Sequence, residues 1–166
     1  SIWVRRSNSN PQYESYGASL VEVDKNNNVY VTGTYFAFPD YIAWFTIKYD
    51  SMGNQLWYRD YNEIDFGTYR EPKAMALDSL GNVYLTGQDA WLATTIKYDP
   101  QGNLLWDKTY GDFDHSAVAT GITIDLRENV FVTGYTESDF LTIKYSPIPQ
   151  LKGDLNLDGI LDLNDV

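Results

Sequence analysis

One six-residue string occurs three times, as Asn28-Val29-Tyr30-Val31-Thr32-Gly33, Asn82-Val83-Tyr84-Leu85-Thr86-Gly87 and Asn129-Val130-Phe131-Val132-Thr133-Gly134, at spacings of 54 and 47 residues. A second string follows each copy: Ile47-Lys48-Tyr49-Asp50, Ile96-Lys97-Tyr98-Asp99 and Ile143-Lys144-Tyr145-Ser146, spaced by 49 and 47. An aliphatic-Trp pair recurs as Ile2-Trp3, Leu56-Trp57 and Leu105-Trp106, and Asp24, Asp78 and Asp125 each stand four residues before the Asn of the first string. Motifs recurring in one order at this period point to copies of a single supersecondary unit, as in propellers and solenoids.

Inside a unit the apolar period is two. Val21 and Val23, Met75 and Leu77, and Ile122 and Ile124 alternate with Glu22, Ala76 and Thr123, which is strand patterning. Four strands fit the first unit, near 18–24, 28–33, 43–49 and 54–60, divided by turns such as Asp50-Ser51-Met52-Gly53-Asn54. Gly53, Gly81 and Gly102 stand where a tight hairpin needs positive φ, and Asn27 replaces glycine at one such place. Glu128 breaks that pattern in the third unit. Each unit reads as a four-stranded antiparallel meander.

These units resemble the bacterial β-propeller repeat family of secreted and cell-surface proteins, over about residues 1 to 146. The resemblance rests on the paired Asn-Val-Tyr-Val-Thr-Gly and Ile-Lys-Tyr-Asp-x-x-Gly-Asn-x-x-Trp strings. It implies an all-β fold of propeller blades and an extracellular or cell-surface location, and it brings no defined chemistry.

Propellers close with about four to eight blades, and three repeats fall short of that. The third repeat runs from strands near 118–125, 129–134 and 139–145 into Ser146-Pro147-Ile148-Pro149, where proline cannot donate ladder hydrogen bonds. Its fourth strand is missing. Ile2-Trp3-Val4-Arg5 matches a fourth strand with no blade before it and reads as an out-of-register closing strand. Two arrangements fit: the C-terminal part of a longer propeller, or a homodimer in which two chains complete a six-bladed ring.

Beyond a Pro-containing linker at 147–153 lies Asp154-Leu155-Asn156-Leu157-Asp158-Gly159-Ile160-Leu161-Asp162-Leu163-Asn164-Asp165. This is the spacing of an EF-hand-like loop. Calcium takes six to eight oxygens, and here Asp154, Asn156 and Asp158, the Ile160 carbonyl, Asp162 and Asp165 stand at the ligating positions, with Gly159 at the sharp turn. Aspartate at the last position, with the preceding Gly153-Asp154, resembles the first loop of a dockerin module. That resemblance implies docking of the parent module onto a cohesin-like or surface scaffold protein. The plainer alternative is an acidic tail.

Other chemistries lack their residues. With 12 Lys+Arg against 23 Asp+Glu the net charge is −11, which repels a phosphate backbone, so nucleic acid is not an expected partner. No apolar run reaches the roughly 20 residues of a membrane span. Cysteine is absent, His115 is the single histidine, and no Gly-x-Ser-x-Gly elbow, P-loop or dinucleotide fingerprint occurs. Asp24, Asp78 and Asp125 read as turn caps and Lys48, Lys97 and Lys144 as scaffold residues, because each recurs in every unit.

In an up-down meander the second-to-third and fourth-to-first connections share one rim. There Thr34–Ile42, Asp60–Pro72, Gln88–Ala93, Tyr110–Ser116 and Tyr135–Asp139 vary in length and sequence. Variable loops on a repeated scaffold are where binding resides. Their aromatics, with Tyr35, Trp91, Phe113 and Tyr135 as the candidate ligand face, stand among carboxylates in a way that suits a glycan; the competing account is that these rings pack the long loops onto the blades. The reading is a non-catalytic extracellular binding or structural module. Its rivals are a carbohydrate-active enzyme on the same blades, which would need two facing carboxylates, and an architectural surface-layer or filament component.

Overall fold

The computed structural model describes residues 2–5, 13–37, 41–61 and 69–147. Among them the fold is all β, with eleven strands and no helix. The first sheet comprises β1 (Tyr13–Val23), β2 (Val29–Ala37), β3 (Tyr41–Tyr49) and β4 (Gln55–Tyr61). The second comprises β5 (Arg70–Leu77), β6 (Val83–Asp89), β7 (Leu92–Tyr98) and β8 (Leu104–Tyr110). The third holds β9 (Ala117–Ile124), β10 (Val130–Thr136) and β11 (Phe140–Tyr145). Every pairing is antiparallel and runs in chain order, which makes each sheet a meander. No helix among the described residues is long and apolar enough to cross a membrane.

Five turns share one construction. In the first, Asp24 Oδ1 accepts from the backbone N–H of Asn26 and Asn28 at 2.8 and 2.9 Å, and the Asn28 amide donates to Asp24 Oδ2 at 2.8 Å. Asp50, Asp78, Asp99 and Asp125 repeat it. The side chain saturates backbone donors that the reversal leaves unpaired, so these acids are structural. Glu128, the departure noted in the sequence, still adopts φ 62°, close to Asn27 at 61°, and its N–H bonds the Asp125 carbonyl.

The glycine that ends each repeated string has a different cause. The first strand of every sheet carries a register shift, between Ala18 and Leu20, between Pro72 and Ala74, and opposite Thr133 and Gly134. The bulge carries its backbone onto the neighbouring strand. A Cβ at Gly33 would lie 1.8 Å from the Gly17 carbonyl oxygen, at Gly87 2.2 Å from that of Glu71, and at Gly134 1.9 Å from that of Val118. Only glycine fits beneath such an approach.

Sheets pack face to face in series, β1 against β5 and β5 against β9, which sets the first strands of the three sheets side by side. The core is therefore a row of seams. Tyr30, Trp44 and Trp57 of the first sheet meet Met75, Val83, Leu85, Ile96 and Tyr98 of the second. Tyr84 and Ala93 of the second meet Ala117, Ala119, Val130, Val132 and Leu141 of the third.

The outer edge of the first seam is closed by a recurring device. Trp57 lies on the turn of the next sheet, where a Cβ on Gly102 would sit 2.8 Å from its ring, and its indole N–H donates to the Pro100 carbonyl at 3.0 Å. Arg59 Nε donates to the Gly102 carbonyl at 2.6 Å. Trp3 and Arg5 do the same to the first sheet: a Gly53 Cβ would sit 2.6 Å from the Trp3 ring, and Arg5 Nε donates to the Gly53 carbonyl at 2.6 Å. Ile2–Arg5 thus has the side-chain contacts of a fourth strand, while among the described residues it joins no ladder.

Candidate functional site

The rim that the sequence marks as variable is more regular than expected. β2 and β3 extend to Ala37 and Tyr41, and β6 and β7 are joined by only Ala90 and Trp91, so most of Thr34–Ile42 and Gln88–Ala93 is strand. Tyr35 is corrected by this. It pairs with Ala43 inside the sheet, is 1% exposed, and packs with Phe45, Ile47 and Tyr49, so its ring is not offered at the rim.

Trp91, Phe113 and Tyr135 remain exposed. Trp91 sits at the tip of a two-residue hairpin whose first residue, Ala90, has φ 55°, a left-handed conformation that costs a residue bearing Cβ roughly 1–2 kcal/mol. The tip is tied down from both sides. The Ala90 N–H bonds the Tyr69 carbonyl and the Ala117 N–H bonds the Trp91 carbonyl, each at 2.9 Å. The Gln88 amide donates to the Ala90 carbonyl at 2.9 Å. Beneath it the Arg70 guanidinium meets Asp89 at 2.9 Å, both largely buried. Trp91 is an exposed aromatic on a rigid mount.

Phe113 stands edge-on to Trp91, with ring centroids 5.5 Å apart and planes at 84°. It belongs to the Gly111–Ser116 connection, where Asp112 Oδ1 accepts from the N–H of Asp114 and His115 and contacts His115 Nδ1 at 3.0 Å. The hydrogen bond from His115 holds the Asp112 carboxyl below its ordinary range. Beside this loop lies an open groove of about 560 Å³ whose lining includes Tyr110, Asp112, His115, Glu137 and Asp139. The groove adjoins the aromatic pair through Asp112, the chain neighbour of Phe113, and its lining includes neither ring.

Tyr135 is placed differently, opposite Phe140 on the outward face of the third sheet. It does not join the Trp91 and Phe113 pair.

The carboxylates of the described residues sit in contrasting environments. Asp50 and Asp125 are held below the ordinary range chiefly by their Asn54 and Asn129 hydrogen bonds. Asp60 is the opposite case: desolvation pushes its carboxyl up against the pull of bonds to Tyr58 and Tyr35, although the residue as a whole is exposed, and its ladder partner is Phe45. Among the described residues no group of three or more His, Asp or Glu side chains is disposed to hold a metal ion. The calcium candidates Asp154, Asn156, Asp158, Ile160, Asp162 and Asp165 lie outside the described residues.

Sequence reasoning missed the Arg70 and Asp89 pair, because the two residues look like ordinary strand ends until the ladder sets them opposite one another. It also missed Phe140. The signal for Phe140 was available, since it holds the place of Trp44 in the repeat.

No curated protein matches the chain. Residues 115–140, which span the entry to β9, β10 and the start of β11, match the family model described as SBBP, beta-propeller repeat. That match covers part of the third sheet, and the three meander sheets packed in series with one turn chemistry throughout are consistent with propeller blades.

Proposed function

We propose that the chain is a non-catalytic β-propeller module acting outside the cell or at its surface, and that its variable rim binds a glycan through Trp91 and Phe113. The observation that carries this reading is the exposed, edge-to-face Trp91 and Phe113 pair, with Trp91 on a braced hairpin and Phe113 next in the chain to Asp112 of the carboxylate-lined groove. A sugar ring presents an apolar C–H face that packs on an indole, while its hydroxyls donate to Asp112, Glu137 or Asp139. Rigid mounting lowers the ordering cost of binding.

In this reading the C-terminal segment supplies anchoring. Asp154, Asn156, Asp158, the Ile160 carbonyl, Asp162 and Asp165 form an all-oxygen donor set, the chemistry calcium requires. They would hold the ion, and the parent dockerin-type module would then dock onto a cohesin-like scaffold protein.

The test is titration of the chain against a panel of soluble polysaccharides by calorimetry. Trp91→Ala is expected to weaken binding at least about tenfold, equivalent to about 1.4 kcal/mol, with an unchanged circular dichroism spectrum. Binding that is indifferent to Trp91 and Phe113, or release of reducing ends from a bound polysaccharide, overturns the proposal.

A further inference from the structure

The first seam and the second show what each sheet turns forward, toward its successor. In the first sheet this face carries Tyr30, Thr32, Thr46 and Lys48, at 0%, 0%, 2% and 6% exposure. The second presents Tyr84, Thr86, Thr95 and Lys97, the first three at 1% or less. The lysine lies over the aromatic ring in both, 4.9 and 4.8 Å from its centre. In the third sheet the same registers hold Phe131, Thr133, Thr142 and Lys144, again with the lysine over the ring at 5.7 Å. Here Thr133, Thr142 and Lys144 are exposed. Phe140 is 89% exposed, while Trp44 at the equivalent place is 1% exposed.

The opposite faces tell the same story in reverse. Met75, 8% exposed, and the partly buried Leu77 of the second sheet pack into the first seam, whereas Val21 and Val23, at the corresponding places of the first sheet, are 63% and 53% exposed. Trp3 and Arg5 already clasp the outer edge of this face in the manner of Trp57 and Arg59. Among the described residues the three-stranded third sheet presents a forward face, and the first sheet a receiving face, with no sheet packed over either.

We propose that a second copy of this chain seats Val21, Val23, Trp3 and Arg5 on the forward face of the third sheet, so that two chains close a ring of six sheets through two equivalent junctions. The contact is heterologous, continues the seam chemistry found twice within one chain, and closes at a blade number within the normal range. In the ring, the partner's Ile2–Arg5 adds a fourth strand to β11. The ladders of β3 with β4 and β7 with β8 fix its register: Lys144 opposite Trp3, Ile143 opposite Val4 and Thr142 opposite Arg5. This inference is independent of glycan binding.

Two measurements test it. The 166-residue chain is expected to have a native mass twice the 19.0 kDa of one copy. The double variant Val4→Cys with Ile143→Cys, oxidised, is expected to give a covalent two-chain product on a non-reducing gel, while each single variant does not. Phe140→Asp alters a side chain that is solvent-exposed in the single copy, so the fold is retained while the mass falls to one chain. A 19.0 kDa species at the highest soluble concentration, a series of larger head-to-tail oligomers, a disulfide that the double variant closes within one chain, or an intact dimer in Phe140→Asp each overturns the proposal.

Discussion

Gly102 and Gly81 separate the two reasons for which a turn in this chain uses glycine. Both have positive φ, 81° and 86°. Alanine at either site bears the left-handed penalty, about 1–2 kcal/mol. The surroundings differ. A Cβ at Gly81 would meet nothing closer than 3.8 Å, whereas at Gly102 it would lie 2.8 Å from the Trp57 ring, which is 7% exposed and bonded to Pro100. Displacing that ring adds an overpacking cost of about 1–3 kcal/mol. Gly102→Ala should therefore destabilise by about 2–5 kcal/mol and Gly81→Ala by about 1–2 kcal/mol. The assay is urea unfolding followed by circular dichroism, comparing midpoints at constant m value. Trp57→Ala supplies the decisive cross-check: in its background Gly102→Ala should cost no more than Gly81→Ala, a coupling of about 1–3 kcal/mol. Equal effects of the two glycine substitutions in the wild-type background, or a coupling near zero, would refute the Trp-on-glycine seam.

Gly87→Ala places a Cβ 2.2 Å from the Glu71 carbonyl oxygen and should prevent stable folding, while Gly17→Ala, with nothing within 4 Å, should change stability by less than about 1 kcal/mol; expression and thermal melts decide. Arg70→Met leaves Asp89 buried without its guanidinium and should cost about 3–5 kcal/mol, recovered in large part by adding Asp89→Leu; equal urea midpoints for wild type and Arg70→Met would count against the pair. Acid should weaken the fold in a defined direction. Asn54 and Asn129 depress the folded-state values of Asp50 and Asp125 below the ordinary 3.8, so their contribution is complete above that value and disappears as pH falls through the lower folded values. The urea midpoint should be steady from pH 7 to about 5 and drop below about pH 4; a constant midpoint down to about pH 2.5 would contradict this.

The strands were legible because apolar alternation and the repeated strings mark the same windows. Those at 18–24, 28–33, 43–49 and 54–60 fall within or close to β1 to β4. What escaped was strand continued beyond the repeat. Tyr35 and Phe36 look like loop aromatics because they are adjacent and apolar, yet the ladder to Ala43 and Ile42 sends one inward and leaves the other 46% exposed. Bulges were equally hidden, since the repeated glycine announces a close approach without naming what approaches. The Trp91 site was half visible: its exposure follows from the shortness of the hairpin, but the backbone bonds from Tyr69 and Ala117 join segments far apart in sequence.

The clasp of Trp57 and Arg59 on the following turn means that the unit of assembly is offset from the sheet. A fourth strand is hydrogen-bonded to its own sheet yet spends its indole on the next, so a natural excision point lies inside the Asp-x-x-Gly-Asn turn. Removing 54–102 would join Gly53 to Asn103 and regenerate that turn unchanged, with Trp106 carried intact toward Tyr145. Gain and loss of copies by recombination at these turns would leave every tryptophan facing a correct neighbour, which gives the gene a way to change copy number without passing through a broken interior.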